Sequence, residues 1–234
     1  MQDLDIPQAR TDSGLFSYSL LRSSYQAVLD LVFPPRCVHC GKVDWNFCED
    51  CRNDLLASPL HTLLDDDIPA LTKIVSTGQH QGVLQSAVQG LKYYGQRDLA
   101  PILAQRMANV LKSLDWTYDM VIPIPMHTQR LQERGYNQAK EISLKLAELL
   151  DKTHSDSAII RERATRSQVG LGAMERRENM QDAFSANQNI LNGKSLLLVD
   201  DVKTTGATMS ACATAALAVG ATAIYGITVT VASS

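Results

Sequence analysis

Apolar residues recur at helical spacing over residues 15–33 (LFSYSLLRSSYQAVLDLVF), with Ser and Arg on the opposite side, and Pro34 and Pro35 end the run. A turn-rich bridge over 58–70, with two prolines and Asp65-Asp66-Asp67, separates this part from a different pattern. Beyond it, short apolar runs at 72–77, 120–124, 158–163, 195–199 and 222–231 predict strands. Segments 82–90, 99–114, 138–150 and 208–219 predict helices, with Pro101 acceptable in a first turn and Gly220 closing the last. Strands alternating with helices predict an α/β fold: a largely parallel sheet covered by helices on both faces. Three parts are expected: an extension with an amphipathic helix (1–33), a cysteine-rich module (34–60) and the α/β domain (61–234). No internal repeat or low-complexity tract interrupts them.

Composition narrows the picture. A chain of 234 residues supports one good core plus a small accessory module. Its net charge of -3 excludes a surface coated for nucleic acid or an anionic membrane, so any such binding must come from a local patch. The opening residues, MQDLDIPQARTDSG, carry acids where a secretory signal needs bases, and no apolar run approaches membrane-spanning length. A cytoplasmic protein without membrane insertion is expected.

Four of the five cysteines form C-x2-C-x7-C-x2-C at Cys37, Cys40, Cys48 and Cys51. In a reducing compartment such clustering points to a metal more than to disulfides. Two such knuckles supply four thiolates in a tetrahedron, the arrangement of a structural Zn²⁺ ribbon. A module this small cannot build a sufficient core alone, and zinc supplies about 10–16 kcal/mol of apparent binding energy against about 2–4 for a disulfide. Mononuclear iron, an iron–sulfur cluster and a redox pair are the competing assignments. His39 reads as a bystander inside the first knuckle, and Cys212 as a small buried side chain. Trp45 and Phe47 read as exposed, and the ribbon's charge balance is acidic.

The stretch SLLLVDDVKTTGATM (195–209) carries the most chemistry. Its fully apolar run predicts a central parallel strand, and open α/β sheets place ligands beyond the carboxyl ends of such strands. Asp200 and Asp201 stand at that edge. The following turn leads into a helix, so backbone N–H groups and the positive helix end face one space. Gly206 lets the backbone approach a ligand, Thr204, Thr205 and Thr208 add hydroxyls, and Lys203 adds a charge. Carboxylates beside an anion loop suit a ligand with two faces, such as a sugar phosphate. A helix-start turn in which acids and threonines merely cap is the alternative.

Two basic stretches accompany it. PIPMHTQRLQERGYNQA (123–139) holds Arg130, Arg134, Gly135, Tyr136 and Asn137 before a helix. RERATRSQVGLGAMERRENMQDAF (161–184) holds Arg161, Arg163, Arg166, Arg176 and Arg177, with Gly170 and Gly172 as flex points. Arginines on a loop can close over a pyrophosphate as a lid; a solvated charged surface is the plain alternative. Lys92 and Arg97 are further cations whose reach toward pyrophosphate stays open, and Tyr93, Tyr94 and Phe184 are either base-stacking or core residues.

LLLVDDVKTTGAT is similar to the phosphoribosyl pyrophosphate (PRPP) motif of type I phosphoribosyltransferases. The ordered set LLDLVFPPRCVHC, LKYYGQRDLAPILA, IPIPMHTQRLQERGYNQA, R-x-R-A-T-x-x-Q, RRENMQDAF and VDDVKTTGAT resembles the ComF (competence protein F) family. That family joins an amino-terminal zinc ribbon to a phosphoribosyltransferase-like domain. The resemblance runs from about Leu29 to the carboxyl end. It implies that Asp200 and Asp201 bind the ribose hydroxyls and that Lys203, Thr204, Thr205, Gly206, Ala207 and Thr208 wrap the 5′-phosphate. A Mg²⁺ would bridge ribose and pyrophosphate oxygens. The implied reaction is displacement of pyrophosphate by an unknown nitrogen acceptor. The alternative that the resemblance implies is a non-enzymatic role in DNA uptake and natural transformation, handling imported single-stranded DNA beside a helicase-like protein. Related folds often form homodimers. Many family members carry an aromatic or aliphatic residue where this chain has Lys203.

Overall fold

The computed structural model describes residues 34–65, 68–162 and 183–232. The predicted amphipathic helix at 15–33 and the arginines at 163, 166, 176 and 177 lie outside the described residues.

A six-stranded sheet organises the chain in the order β1-β2-β8-β7-β3-β4. Its strands are β1 (Leu63–Asp65), β2 (Lys73–Ser76), β3 (Met120–Pro123), β4 (Thr153–His154), β7 (Ser195–Lys203) and β8 (Ala223–Val231). All neighbours pair in parallel except β1, which runs antiparallel to β2 at one edge. A separate antiparallel pair joins β5 (Ile159–Arg161) to β6 (Phe184–Ala186). The α/β class and mostly parallel sheet agree with the sequence pattern.

β7 owes its central place to its composition. Leu196 to Val199 are completely buried, as a strand covered on both faces requires. Successive side chains leave a strand on opposite faces. Accordingly Leu197 and Val199 pack in one apolar cluster with α2 (Gly82–Tyr93) and α3 (Ala100–Leu111), together with Ile142 and Leu146 of α5 (Gln138–Leu150). Leu196 and Leu198 pack in a second, against α7 (Ala207–Ala218), β5 and β6.

The cysteine module has no core of its own. Helix α1 (Glu49–Ala57) starts at the second knuckle, and Cys37, Phe47, Cys48, Cys51 and Leu55 belong to the same cluster as α2 and α3. Phe47 is therefore 2% exposed rather than exposed as its polar neighbours suggested, whereas Trp45 is exposed. The bridge over 58–70 contributes edge strand β1. Arg106, buried on α3, donates to the Ser58 carbonyl (2.9 Å) and to the Thr77 carbonyl (3.0 Å), tying that bridge to the loop after β2. The stretch over 123–139 is more ordered than its proline and glycine content suggested, since α4 (Thr128–Arg134) closes on left-handed Gly135. A short α6 (Gln188–Leu191) precedes β7.

Candidate functional site

β7 runs to Lys203, four residues beyond the predicted end, so Asp200 and Asp201 are strand residues and not loop residues. Pairing with β8 persists to Lys203↔Val231, which holds the extension straight. The consequence is stereochemical: the two acids leave opposite faces of one strand.

Asp200 continues the face of Leu196 and Leu198. It lines a small open cavity of about 30 Å³ with Lys203, Thr204, Gly206, Ala207 and Thr208, against Ile74 and Met209. Burial, and then the charge of Asp201, push its carboxyl up to about 7. The Asp201 N–H, which donates to Asp200 Oδ1 at 2.8 Å, and the Lys92 charge act in the opposite direction. Gly206 caps α7 with φ +74°, a left-handed conformation. An added Cβ would stand 2.3 Å from Ile68 Cδ1. The glycine is thus required both by backbone conformation and by close approach. Thr205 stands apart from the lining residues, and its hydroxyl accepts weakly from the Ala207 N–H at 3.4 Å. The turn presents N–H groups at the start of a twelve-residue helix, the electrostatics an anion needs.

Asp201 continues the other face and is 5% exposed. Lys92 Nζ, in the last turn of α2, approaches its Oδ1 at 2.8 Å. Gln138 Nε2, at the first position of α5, donates to its Oδ2 at 2.9 Å. Gln138 Oε1 is buried with no hydrogen-bond partner among the described residues. His80, in the loop after β2, meets Thr230 Oγ1 at 2.9 Å. Burial and then the Lys92 charge lower its pKa, while Asp201 opposes them. Pattern reading singled out neither Gln138 nor His80, and left the reach of Lys92 open. The signal available for Gln138 was its place directly after Asn137, whose side chain caps α5 and donates to the Ile124 carbonyl at the end of β3.

Lys92 also lines a cleft of about 510 Å³ between the end of α2 and α4. Arg130, Arg134, Tyr93 and Tyr136 contribute to it, with Glu133 the acidic residue in its lining. Arg134 lies 5.4 Å from the centre of the Tyr93 ring, and Arg97 lies 5.1 Å from that of Tyr136. Tyr93 and Tyr94 are 71% and 64% exposed, so both are surface aromatics, whereas Phe184 is core. Arg130 and Arg134 therefore share a cleft with Lys92, the residue that contacts Asp201. Arg176 and Arg177 lie outside the described residues.

The four knuckle cysteines converge. Their sulfurs all lie within 4.8 Å of one another, with Cys37 and Cys51 3.7 Å apart and Cys40 and Cys48 3.6 Å apart. Sulfurs bound at 2.3 Å around a tetrahedral ion stand about 3.8 Å apart, so the set is arranged for a metal. Burial acts to raise the Cys37 thiol, but N–H groups of Cys40, Cys48 and His39 outweigh it and bring Cys37 down to about 6. The Cys48 N–H lies 3.4 Å from the Cys37 sulfur. His39 hydrogen-bonds Ser86 across 3.0 Å, outside the ligand set. Cys212 is fully buried, as its small-residue setting suggested.

Among the described residues, no helix is long and apolar enough to cross a membrane.

No protein-family model matches the chain. Solved structures similar to it include an adenine phosphoribosyltransferase from Trypanosoma brucei in complex with AMP, pyrophosphate and ribose-5-phosphate. That similarity covers 74% of this chain and 87% of the other, with 12% identity and a TM-score of 0.42. An adenine phosphoribosyltransferase from Thermoanaerobacter pseudethanolicus shows 11% identity over 77% of this chain and 99% of its own, with a TM-score of 0.41. Among curated proteins, the DNA utilization protein YhgH of Salmonella typhi is 30% identical over 161 residues, 67% of this chain and 70% of its own. Competence protein ComFC of Bacillus subtilis is 32% identical over 90 residues, 38% of this chain and 35% of its own. Competence protein F of Haemophilus influenzae is 30% identical over 183 residues. That match spans 75% of this chain and 76% of the relative, and the chain belongs to the competence protein F family.

Proposed function

We propose that the end of β7 binds PRPP, or a related sugar phosphate, together with Mg²⁺, and that the protein transfers the phosphoribosyl group to a nitrogen acceptor. One observation carries the reading: carboxylates on both faces of a single strand end stand beside an N–H-lined turn that opens a twelve-residue helix. A phosphate alone would be repelled by those acids, whereas a pentose offers them hydroxyl donors and the turn its phosphate.

The roles divide among the turn, the two acids and the cleft. The turn from Lys203 through Thr208 receives the 5′-phosphate, with Gly206 supplying its left-handed conformation. Asp200 and Asp201 accept from the ribose hydroxyls. Lys92, Arg130 and Arg134 line the cleft in which a diphosphate leaving group would be neutralised. Mg²⁺ held beside the Asp200 and Asp201 carboxylates would supply charge neutralisation for the departing pyrophosphate. In the transfer, a C–N bond forms at the anomeric carbon as the C–O bond to pyrophosphate breaks. The bonding pair leaves with pyrophosphate, and the acceptor nitrogen releases its proton to the medium. Zn²⁺ is the metal proposed for the four cysteines, in a structural role.

Isothermal calorimetry tests the binding step. The protein should bind PRPP with Mg²⁺ at micromolar to millimolar levels, and the pair Asp200→Asn and Asp201→Asn should abolish the heat. No PRPP affinity in the unmutated protein removes the proposal.

The cleft favours a second reading, a non-enzymatic DNA-handling role. Three cations against one acid, with exposed Tyr93 beside them, form a stacking and charge platform suited to single-stranded DNA. Under this reading, affinity for a labelled oligonucleotide falls steeply as salt rises, because phosphate contacts release counterions. Absence of binding at low salt rules it out.

A further inference from the structure

We infer that Lys92 is a specificity-determining residue, keeping Asp201 closed to free divalent cations and uncharged sugars and releasing it to a ligand with an anionic group for Lys92 to hold. The inference rests on the proposed sugar-phosphate reading of the β7 end and adds a selection rule to it.

Asp201 is not poised for a ligand as the folded chain stands. Its Oδ1 is held by Lys92 Nζ at 2.8 Å and its Oδ2 by Gln138 at 2.9 Å, in a setting where the two charged side chains are only 21% and 7% exposed. A hydrated divalent cation arriving alone would have to share or displace an ammonium that already neutralises the carboxylate. It would also leave that ammonium buried beside a second positive charge. A neutral sugar offers Lys92 nothing in exchange.

An anionic ligand changes the balance. Lys92 belongs to the last turn of α2 and lines the cleft that holds Arg130 and Arg134. Its flexible four-carbon stem lets the ammonium turn from the carboxylate to a phosphoryl oxygen in that cleft without moving the helix. Asp201 Oδ1 is then free for a hydroxyl or a cation. On the neighbouring amide, Gln138 Oε1 is a buried acceptor unused among the described residues, ready for a second donor. Binding of the anion and binding of the cation are therefore coupled: each favours the arrangement the other needs.

The test uses Mn²⁺ alone as the probe, its binding read from the electron paramagnetic resonance of the free ion, on protein whose cysteine site is already metal-loaded. Lys92→Met should bind Mn²⁺ at least tenfold more tightly than the unmutated protein, and adding Asp201→Asn should cancel the gain. Lys92→Arg, which keeps the charge, should keep Mn²⁺ out. Mn²⁺ affinity unchanged in Lys92→Met, or a gain that survives Asp201→Asn, overturns the inference. The unmutated protein gives a reading independent of whether the Met variant folds. Saturating inorganic phosphate should raise its Mn²⁺ affinity severalfold, with Asp201→Asn as the reference for Mn²⁺–phosphate association in solution. No rise beyond that reference also overturns it. Because these assays contain no PRPP, its failure to bind would remove the proposed function while leaving the Lys92 result to stand or fall separately.

Discussion

Asp200 holds its carboxylate beside Ile74 and Met209, with Asp201 as its chain neighbour, and its pKa is about 7. Between the usual carboxylate value and pH 7, the folded protein keeps a proton that the unfolded chain has lost. Stability therefore falls as pH rises through that window, and the full cost is present above it. Asp200→Asn should stabilise the protein at pH 8 by on the order of 1–4 kcal/mol, by less than about half as much at pH 5, and hardly at all at about pH 3, as denaturant melts at the three pH values would show. A residue that costs stability where it is ionised fits a site kept for binding. Ligands that need the ionised form should bind more tightly as pH rises from 6 to 7, by at most about tenfold. Asp201, one position along, leaves the other face of the strand, where Lys92 and Gln138 contact its carboxylate.

At the scale of elements, the β7–turn–α7 unit depends on one backbone conformation. Gly206→Ala must adopt φ near +74° and bring a methyl group against Ile68. Strained conformations of this kind cost about 1–3 kcal/mol, and the contact adds to it. The variant should melt lower and lose phosphate affinity together. Adding Ile68→Ala should recover only the part due to contact, leaving the conformational part, which thermal denaturation of the double variant measures. Full recovery would show that the left-handed turn carries no strain of its own. α7 is fixed from its other side as well, where the Ser210 hydroxyl donates to the Pro69 carbonyl at 2.8 Å. The turn is thus clamped between β7 and the segment that precedes β2.

For the whole molecule, the cysteine module and the sheet domain share one apolar cluster. Phe47 and Leu55 pack in the same cluster as helices α2 and α3, and Gln96 Nε2 donates to the Asn46 carbonyl at 2.7 Å. Structural zinc contributes about 10–16 kcal/mol of apparent energy to small modules, comparable to the whole stability of a domain. Removing the metal by chelation, or Cys51→Ser, should therefore lower the melting temperature of the α/β domain by about 10 °C or more within one cooperative transition. Two separated transitions, with the larger unmoved, would show that the shared cluster does not couple them. Arg106 extends the same coupling toward the site: it connects the Ser58 carbonyl, just after α1, to Thr77 in the loop that leads to His80.

Periodicity determined the order of elements, because a central parallel strand must be apolar on both faces and a surface helix on one. Helix α5 was legible to the residue for that reason, and its asparagine cap marked its start. Spacing predicted the four-cysteine set, and the fold brings its sulfurs within 4.8 Å of one another. What required the tertiary structure was pairing. The end of β7 is set by its ladder with β8, and a hydrogen-bond ladder leaves no periodic signal when polar residues continue the strand. The burial of Phe47 depends on which helices cover it, and the short strands β1, β4 and β6 exist only because a neighbour pairs with them. Most of all, Lys92, Gln138 and Asp201 come from three elements far apart along the chain. Their meeting follows from helix packing over one face of the sheet, a long-range fact that no local pattern encodes.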